Sequence, residues 1–477
     1  MIRIVWLRND LRIRDNKALY AACSDLISEV RVVFIATPKQ WQKHHMSAYQ
    51  STFIYKNLIK VQQSLAQCGI PFVYHECNYF EDAIIWLKYY CNKEQVKELF
   101  YNCQYEINEH KRDQKLKKIL MGHVVCKSFH DYTLLEPGSI LNNNSEMYKI
   151  YTPFRKKVIN TLKKSNVFSL PSPQRYYRNT ITVKPIPKFD YPFNESSQEF
   201  PLGEESALNL LEIFCSTKIT SYATQTNLPS LYSTSYLSPY LAVGIISPRQ
   251  CLNTLLNHYP NLLENNIAVS WFNQLIWREF YNHTLAKYPF LCMGKPYIDW
   301  TNNIVWNTDE EHLIAWQNGY TGYPIIDAGM RQLNSTGWMH NRIRMITASF
   351  LVKDLLIDWR IGEKYFMLHL LDGNLALNNG NWQWISSTGN NSWPYFRSFN
   401  PTTQGKKIDP NGDFIRKWLP ELNEVPSKYI HNPHDWAQHS KYKIDYPLPI
   451  IDHNEARQKM LMAFKKAKKC SKRIFST

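Results

Sequence analysis

The chain has 477 residues, too many for one compact core, so two domains are the expectation. Its 44% hydrophobic and 20% charged residues are ordinary for a globular protein, and no apolar run approaches the roughly 20 residues a membrane helix needs. The net charge of +16 favours a polyanionic partner, nucleic acid before an anionic membrane surface.

The opening MIRIVWLRND enters a strand-like run at once, so no signal peptide is expected. Five β-branched or aromatic runs follow at Arg3–Leu7, Val30–Ala36, Phe72–Cys77, Glu98–Asn102 and Val124–His130. Helical runs separate them, among them Met46–Cys68, Phe80–Tyr90 and Ile107–Met121. The order βαβαβαβαβ predicts a five-stranded parallel sheet covered by helices over residues 1–130. No G-x-G-x-x-G follows the first strand and no G-x-x-x-x-G-K-[ST] occurs, so the usual phosphate cradles are missing.

Residues 131–203 form a long connection with one helical piece near Thr152–Lys164. Prolines at 171, 173, 185, 187, 192 and 201 argue against regular structure between them. From Glu204 to residue 477 the pattern is all helical, and 12 of the 15 tryptophans lie beyond residue 270. The ten cysteines contain no C-x-x-C pair, so free thiols are expected and no metal site. The ending FKKAKKCSKRIFST reads as a basic, solvated helix end.

Residues 321–404 stand out, because arginines, asparagines and tryptophans alternate through an otherwise apolar run. Buried polar side chains are costly without partners, so the run suggests a built site. With the opening IVWLRNDLRIRDNKAL and the central WFNQLIWREFYNH, it resembles the photolyase/cryptochrome family over almost the whole chain. It is most similar to the bacterial members that repair cyclobutane pyrimidine dimers with a folate antenna. The resemblance implies an α/β antenna-binding domain followed by an all-α FAD-binding domain. It also implies light-driven repair of UV-damaged DNA by a cytoplasmic, nucleoid-associated monomer. An electron passes from photoexcited reduced FAD to the dimer and returns.

The resemblance assigns FAD contacts to Tyr222, Thr234, Ser235, Tyr236, Leu237, Ser238, Trp271, Arg278, Gly373 and Asn374. On residue chemistry alone, STSYLS is a helix cap. Arg344 and Asp372 correspond to an ion pair beside the flavin ring, and Asn378 to the residue facing flavin N5. Trp382, Trp359 and Trp306 match a chain of tryptophans that reduces the flavin in light. Taken singly, each is a core residue.

Asn341, Arg342, Arg344 and Met345 span an arc of roughly 160° on a helix, so one helix can present all four to a cavity. Ile343, Ile346 and Phe350 would then pack inward. The resemblance places Asn341, Arg342, Met345, Gln274, Trp277, Tyr281 and Trp384 at the damaged DNA. It adds backbone contacts from Arg278, Arg397, Gln404, Lys406 and Lys407. Members that repair the (6-4) photoproduct carry histidines where this chain has Asn341 and Met345, which favours the cyclobutane dimer.

Gln274 stands where relatives carry Glu, and Thr226 where they carry Arg. His44, Asn108, Glu109 and Cys292 match contacts to 5,10-methenyltetrahydrofolate, although Met293 replaces a lysine. Two competing readings are a cryptochrome-type photoreceptor without repair and a nucleic-acid-binding flavoprotein with thermal redox chemistry. A cryptochrome often carries a C-terminal extension, and this chain ends shortly after its last expected helix.

Overall fold

The structure is a computed structural model that describes residues 1–25, 27–165, 167–173, 181–265, 267–440 and 443–474. The five expected strands form one parallel sheet: β1 Ile2–Leu7, β2 Glu29–Ala36, β3 Phe72–Glu76, β4 Val96–Asn102 and β5 Val125–Phe129. Their order is β3-β2-β1-β4-β5. Central β1 is buried on both faces, which explains its unbroken apolar IVWL. Val5 and Leu7 point to one side with helix Ala48–Gln67; Ile4 and Trp6 point to the other, with helices Phe80–Lys93 and Ile107–Leu120.

Doubly wound sheets place ligands where the strand order reverses, outside the strand ends. Here that crevice is filled by the chain's own side chains. Asp10 accepts from the Arg8 N–H (2.6 Å) and from Asn102 Nδ2 (2.6 Å), while Arg8 pairs with Asp113 (2.9 Å). The missing phosphate cradle therefore has a physical counterpart, a crevice closed by buried polar groups that bond mainly to one another.

Beyond β5 the connection has one helix, Tyr151–Leu162, and otherwise irregular backbone tied down from outside. Tyr55 donates to Ile186 O, Gln62 to Lys184 O and Tyr191 to Met46 O. These bonds hold a proline-rich strap along helix Ala48–Gln67. Part of the connection, residues 174–180, lies outside the described residues, as do 475–477 of the basic ending.

From helix Glu204–Ile213 onward the described residues contain no strand. A buried ion cluster joins this helical part to the sheet. Arg249 pairs with Asp131 (2.5 Å) and Asp15 (3.0 Å), Arg12 pairs with Asp131, and all four are nearly inaccessible. Gly244, at φ 71°, packs so tightly on this corner that a Cβ would sit 2.1 Å from Asn9 O. The core cluster on one sheet face continues into the helices through Tyr222, Trp271 and Phe280.

Helix Leu375–Ser386 is central to the helical part. It packs against Val269–Lys287, Asn341–Ser349 and Trp359–His369. Close crossings need small residues: a Cβ on Gly380 would meet the Tyr281 ring at 2.2 Å, and one on Gly362 the Trp382 ring at 2.2 Å. Among the described residues no helix is long and apolar enough to cross a membrane.

Candidate active site

The central helices bring the expected flavin residues to one region. Tyr222 and Trp271 are buried, and Trp271 donates its indole N–H to Ser235 (3.2 Å). The 233–238 turn leads into a helix of only five residues, Ser238–Ala242. Leu237 is buried, so only its backbone is available to a guest. Ser238 accepts from the Trp338 indole (3.3 Å), and Trp338 packs on Tyr236 at 4.8 Å. Asn374 caps helix Leu375–Ser386 through Leu377 N (3.0 Å) and donates to Tyr132 Oη (2.9 Å). The Gly373 carbonyl accepts from Gln50 (2.7 Å).

Among the buried polar atoms without a partner in the described residues, four belong to expected site residues or their immediate neighbours: Thr234 Oγ1, Arg278 Nη2, His340 Nε2 and Arg342 Nε. Orphaned buried donors are costly, and several together imply a polar guest. The residues present therefore fit an anionic dinucleotide. Arg278 is buried, with its guanidinium 4.1 Å over the Tyr132 ring and one N–H on Tyr132 O (2.7 Å). Of its two expected roles, the flavin contact suits this inward position. The surface phosphate contact does not, because the charge is screened from solvent by Tyr132.

Arg344 and Asp372 form the expected pair, with one guanidinium nitrogen shared between both carboxylate oxygens. Arg344 Nη2 lies 3.0 and 2.8 Å from the two carboxylate oxygens, and Nε donates to Met339 O (2.7 Å). Two of the three Arg344 guanidinium nitrogens are thus held, which orients its charge. Asn378 is buried and donates to Glu363 O (2.9 Å), leaving its amide oxygen without a donor among the described residues. Neighbouring Asn379 donates to the Glu363 carboxylate (2.9 Å), whose pKa burial pushes up to about 7.

Helix Asn341–Ser349 carries the expected DNA set. Ile343, Ile346 and Phe350 are buried, Asn341 is exposed, and Arg342, Arg344 and Met345 are half-buried. His340 caps the helix by accepting from Arg342 N (3.2 Å), and burial holds its pKa down at about 4, so it stays neutral. Arg342 donates to Gln404 (2.7 Å) and lies 4.9 Å over the Phe399 ring. Arg397, Lys406, Lys407 and Gln274 are exposed.

Each expected aromatic wall has a second ring behind it. Trp277 stacks on Tyr151 at 3.6 Å and 3°, and Trp384 on Trp393 at 5.6 Å and 6°. Such backing holds a flat ring in place before a base arrives. Tyr281, expected at the substrate, lies inside the fold. It is buried against Gly380 and its ring lies 5.6 Å from that of Trp277.

Trp382 and Trp359 are buried and Trp306 is half-buried. The ring neighbours of Trp382 are Phe366 (5.0 Å) and Trp316 (6.4 Å), not Trp359. Trp359 lies one turn before Gly362, the residue against which the Trp382 ring rests. Asn307, next to Trp306, bonds to Leu355 O and Leu356 O, just before that helix. The three indoles thus occupy adjoining segments that run from the core toward the surface.

The four antenna candidates meet where helix Ile107–Leu120 begins. His44 contacts Asn108 (3.0 Å) and Glu109 (3.3 Å). Burial pushes the Cys292 thiol up to about 12, and the nearby Glu106 and Glu109 carboxylates act in the same direction. Met293 is exposed.

Sequence reading missed Tyr151, Trp393, Trp338 and Glu363. Tyr151 sits 126 positions from Trp277 and Trp338 sits 102 from Tyr236, so no local periodicity links them. Glu363 acts on Asn378 through its backbone carbonyl, which any residue type supplies.

Residues 3–174 match the family model described as "DNA photolyase", and residues 271–466 the one described as "FAD binding domain of DNA photolyase". A protein of Escherichia coli named deoxyribodipyrimidine photo-lyase is 47% identical over 98% of this chain and 99% of its own. A solved class III photolyase from Agrobacterium tumefaciens superposes with TM-score 0.84 at 33% identity, covering 98% of each chain. A Synechocystis cryptochrome superposes with TM-score 0.85 at 26% identity, covering 97% of this chain and 99% of its own. The chain belongs to the DNA photolyase family.

Proposed function

We propose that this protein is a light-driven deoxyribodipyrimidine photo-lyase that opens cyclobutane pyrimidine dimers in DNA. One observation carries the reading. A single helix, Asn341–Ser349, sets an exposed Asn341 at one end and the Arg344 charge, clamped on Asp372, within one turn of it. A lesion and a flavin served by these two residues are neighbours. FAD, when bound and reduced, supplies the photoexcited electron.

The chain's residues do the rest. Arg344 favours negative charge on its guest by Coulomb attraction. Asn378, oriented by the Glu363 carbonyl, offers its amide oxygen to a donor on that guest. Trp277 and Trp384 stack on extruded bases, and Arg342, Arg397, Gln404, Lys406 and Lys407 meet phosphates. A dimer pairs poorly, so extruding it costs less than extruding an intact base. Neutral His340 is no proton donor at physiological pH, which suits a reaction that needs none.

The reading extends to a methenyltetrahydrofolate antenna on His44, Asn108, Glu109 and Cys292, and to Trp382, Trp359 and Trp306 as a reducing relay. It extends also to a monomer that works on the nucleoid in the cytoplasm, with a division into residues 1–130, 131–203 and 204–477. The test is incubation of the reduced protein with dimer-containing DNA in darkness and under blue light. Repair in light alone is the expected result. Lasting flavin photoreduction without repair would indicate a photoreceptor, and turnover in darkness a thermal redox protein.

A further inference from the structure

The last helix, His453–Ile474, is distinctive in charge. Residues 456–474 contain eight Lys/Arg and no Asp/Glu, against a net +16 for all 477 residues. Met460, Phe464 and Ala467 bury one face of this helix. That docking fixes the rotation of the helix. Lys465, Lys466, Lys468 and Lys469 are all exposed on the opposite side, within an arc of roughly 160°. None of the four is paired with a carboxylate among the described residues. A patch of uncompensated like charge destabilises the helix by self-repulsion and gains nothing from local structure.

The patch adjoins the candidate DNA surface. Lys468 Nζ lies 5.9 Å from the Tyr395 ring, and Tyr395 stacks on Phe464 at 5.9 Å. Arg397 follows two residues later in the same loop, whose Trp393 backs the Trp384 wall. A groove of about 350 Å³ is lined by Trp393, Tyr395 and Trp300, and both Tyr395 and Trp300 contact Phe464 of the helix. Basic side chains therefore continue past Arg397 along the C-terminal helix.

We propose that the exposed face of this helix binds the phosphate backbone of the duplex arm flanking the lesion. The inference rests on the DNA-repair reading above and extends its binding surface. Lys465 to Lys469 cover about one helical turn, enough for two or three phosphates. Each contact releases counterions and adds about 0.9 to the slope of log affinity against log salt.

The test uses full-length holoenzyme and the variant K465Q/K466Q/K468Q/K469Q. Glutamine has nearly the helix propensity of lysine, so the fold is kept; circular dichroism checks this, and K466Q/K469Q replaces the variant if it does not fold. Affinity for a dimer-containing duplex and for a short dimer-containing single strand is measured across a salt series. The variant is expected to show a duplex slope shallower by about 2, and no change on the short strand. Equal duplex slopes would overturn the proposal, as would an equal loss on both substrates. Loss of binding to vesicles containing anionic phospholipid, with the duplex slope intact, would overturn it in favour of a membrane surface. Light-dependent repair by the unmodified protein in the same samples reports separately on the function itself.

Discussion

Asp372→Asn is expected to strip most of the flavin from the purified protein. The Asp372 side chain is 4% exposed, and it accepts two hydrogen bonds from Arg344, whose side chain is 23% exposed. Removing one partner of a buried pair leaves the other charge uncompensated, at a cost of about 3–5 kcal/mol when both are fully buried. Partial exposure of Arg344 lowers this to roughly 2–3 kcal/mol, a change of at least tenfold in the affinity of anything the pair holds. The flavin-to-protein absorbance ratio, with and without added FAD, measures the effect. Arg344→Gln alone should behave similarly. The double variant should lose less than the two single losses combined, because no orphaned charge remains. Additive losses would mean that the two side chains act independently, despite their geometry.

Trp277→Ala is expected to weaken binding of dimer-containing DNA far more than binding of intact duplex. Loss of one base–aromatic stack costs about 1–3 kcal/mol, or roughly 5- to 150-fold. Tyr151 also loses its 3.6 Å contact with the indole, which frees that ring to move. Tyr151→Ala should reproduce part of the effect without touching a base, because the indole then has no fixed partner. Affinities for damaged and intact duplexes of one sequence give the comparison. An equal loss on both would show that Trp277 contributes general packing and does not read the lesion.

The elements that carry local signals were legible before any coordinates. The five strands follow from β-branched runs, and their parallel order from the helices between them. Helix Asn341–Ser349 buries Ile343 and Ile346 as its apolar spacing requires. Long-range contacts were not legible. Arg278 carries two expectations in sequence, a flavin contact and a DNA contact, and the cover given it by Tyr132, 146 positions away, has no local signal. Tyr281 reads as a pocket residue, yet Gly380 on a second helix admits its ring and buries it. The candidate site residues themselves rest on family resemblance. Composition alone would have left Trp277 and Trp384 as core aromatics and STSYLS as a cap.

The central claim is that these helices bring a reduced flavin and a damaged base pair close enough for electron exchange. Fluorescence of the protein-bound reduced flavin measures this directly. Saturating dimer-containing strand is predicted to quench it, while undamaged strand of the same sequence leaves it unchanged. Undiminished fluorescence with damaged strand demonstrably bound would contradict the account.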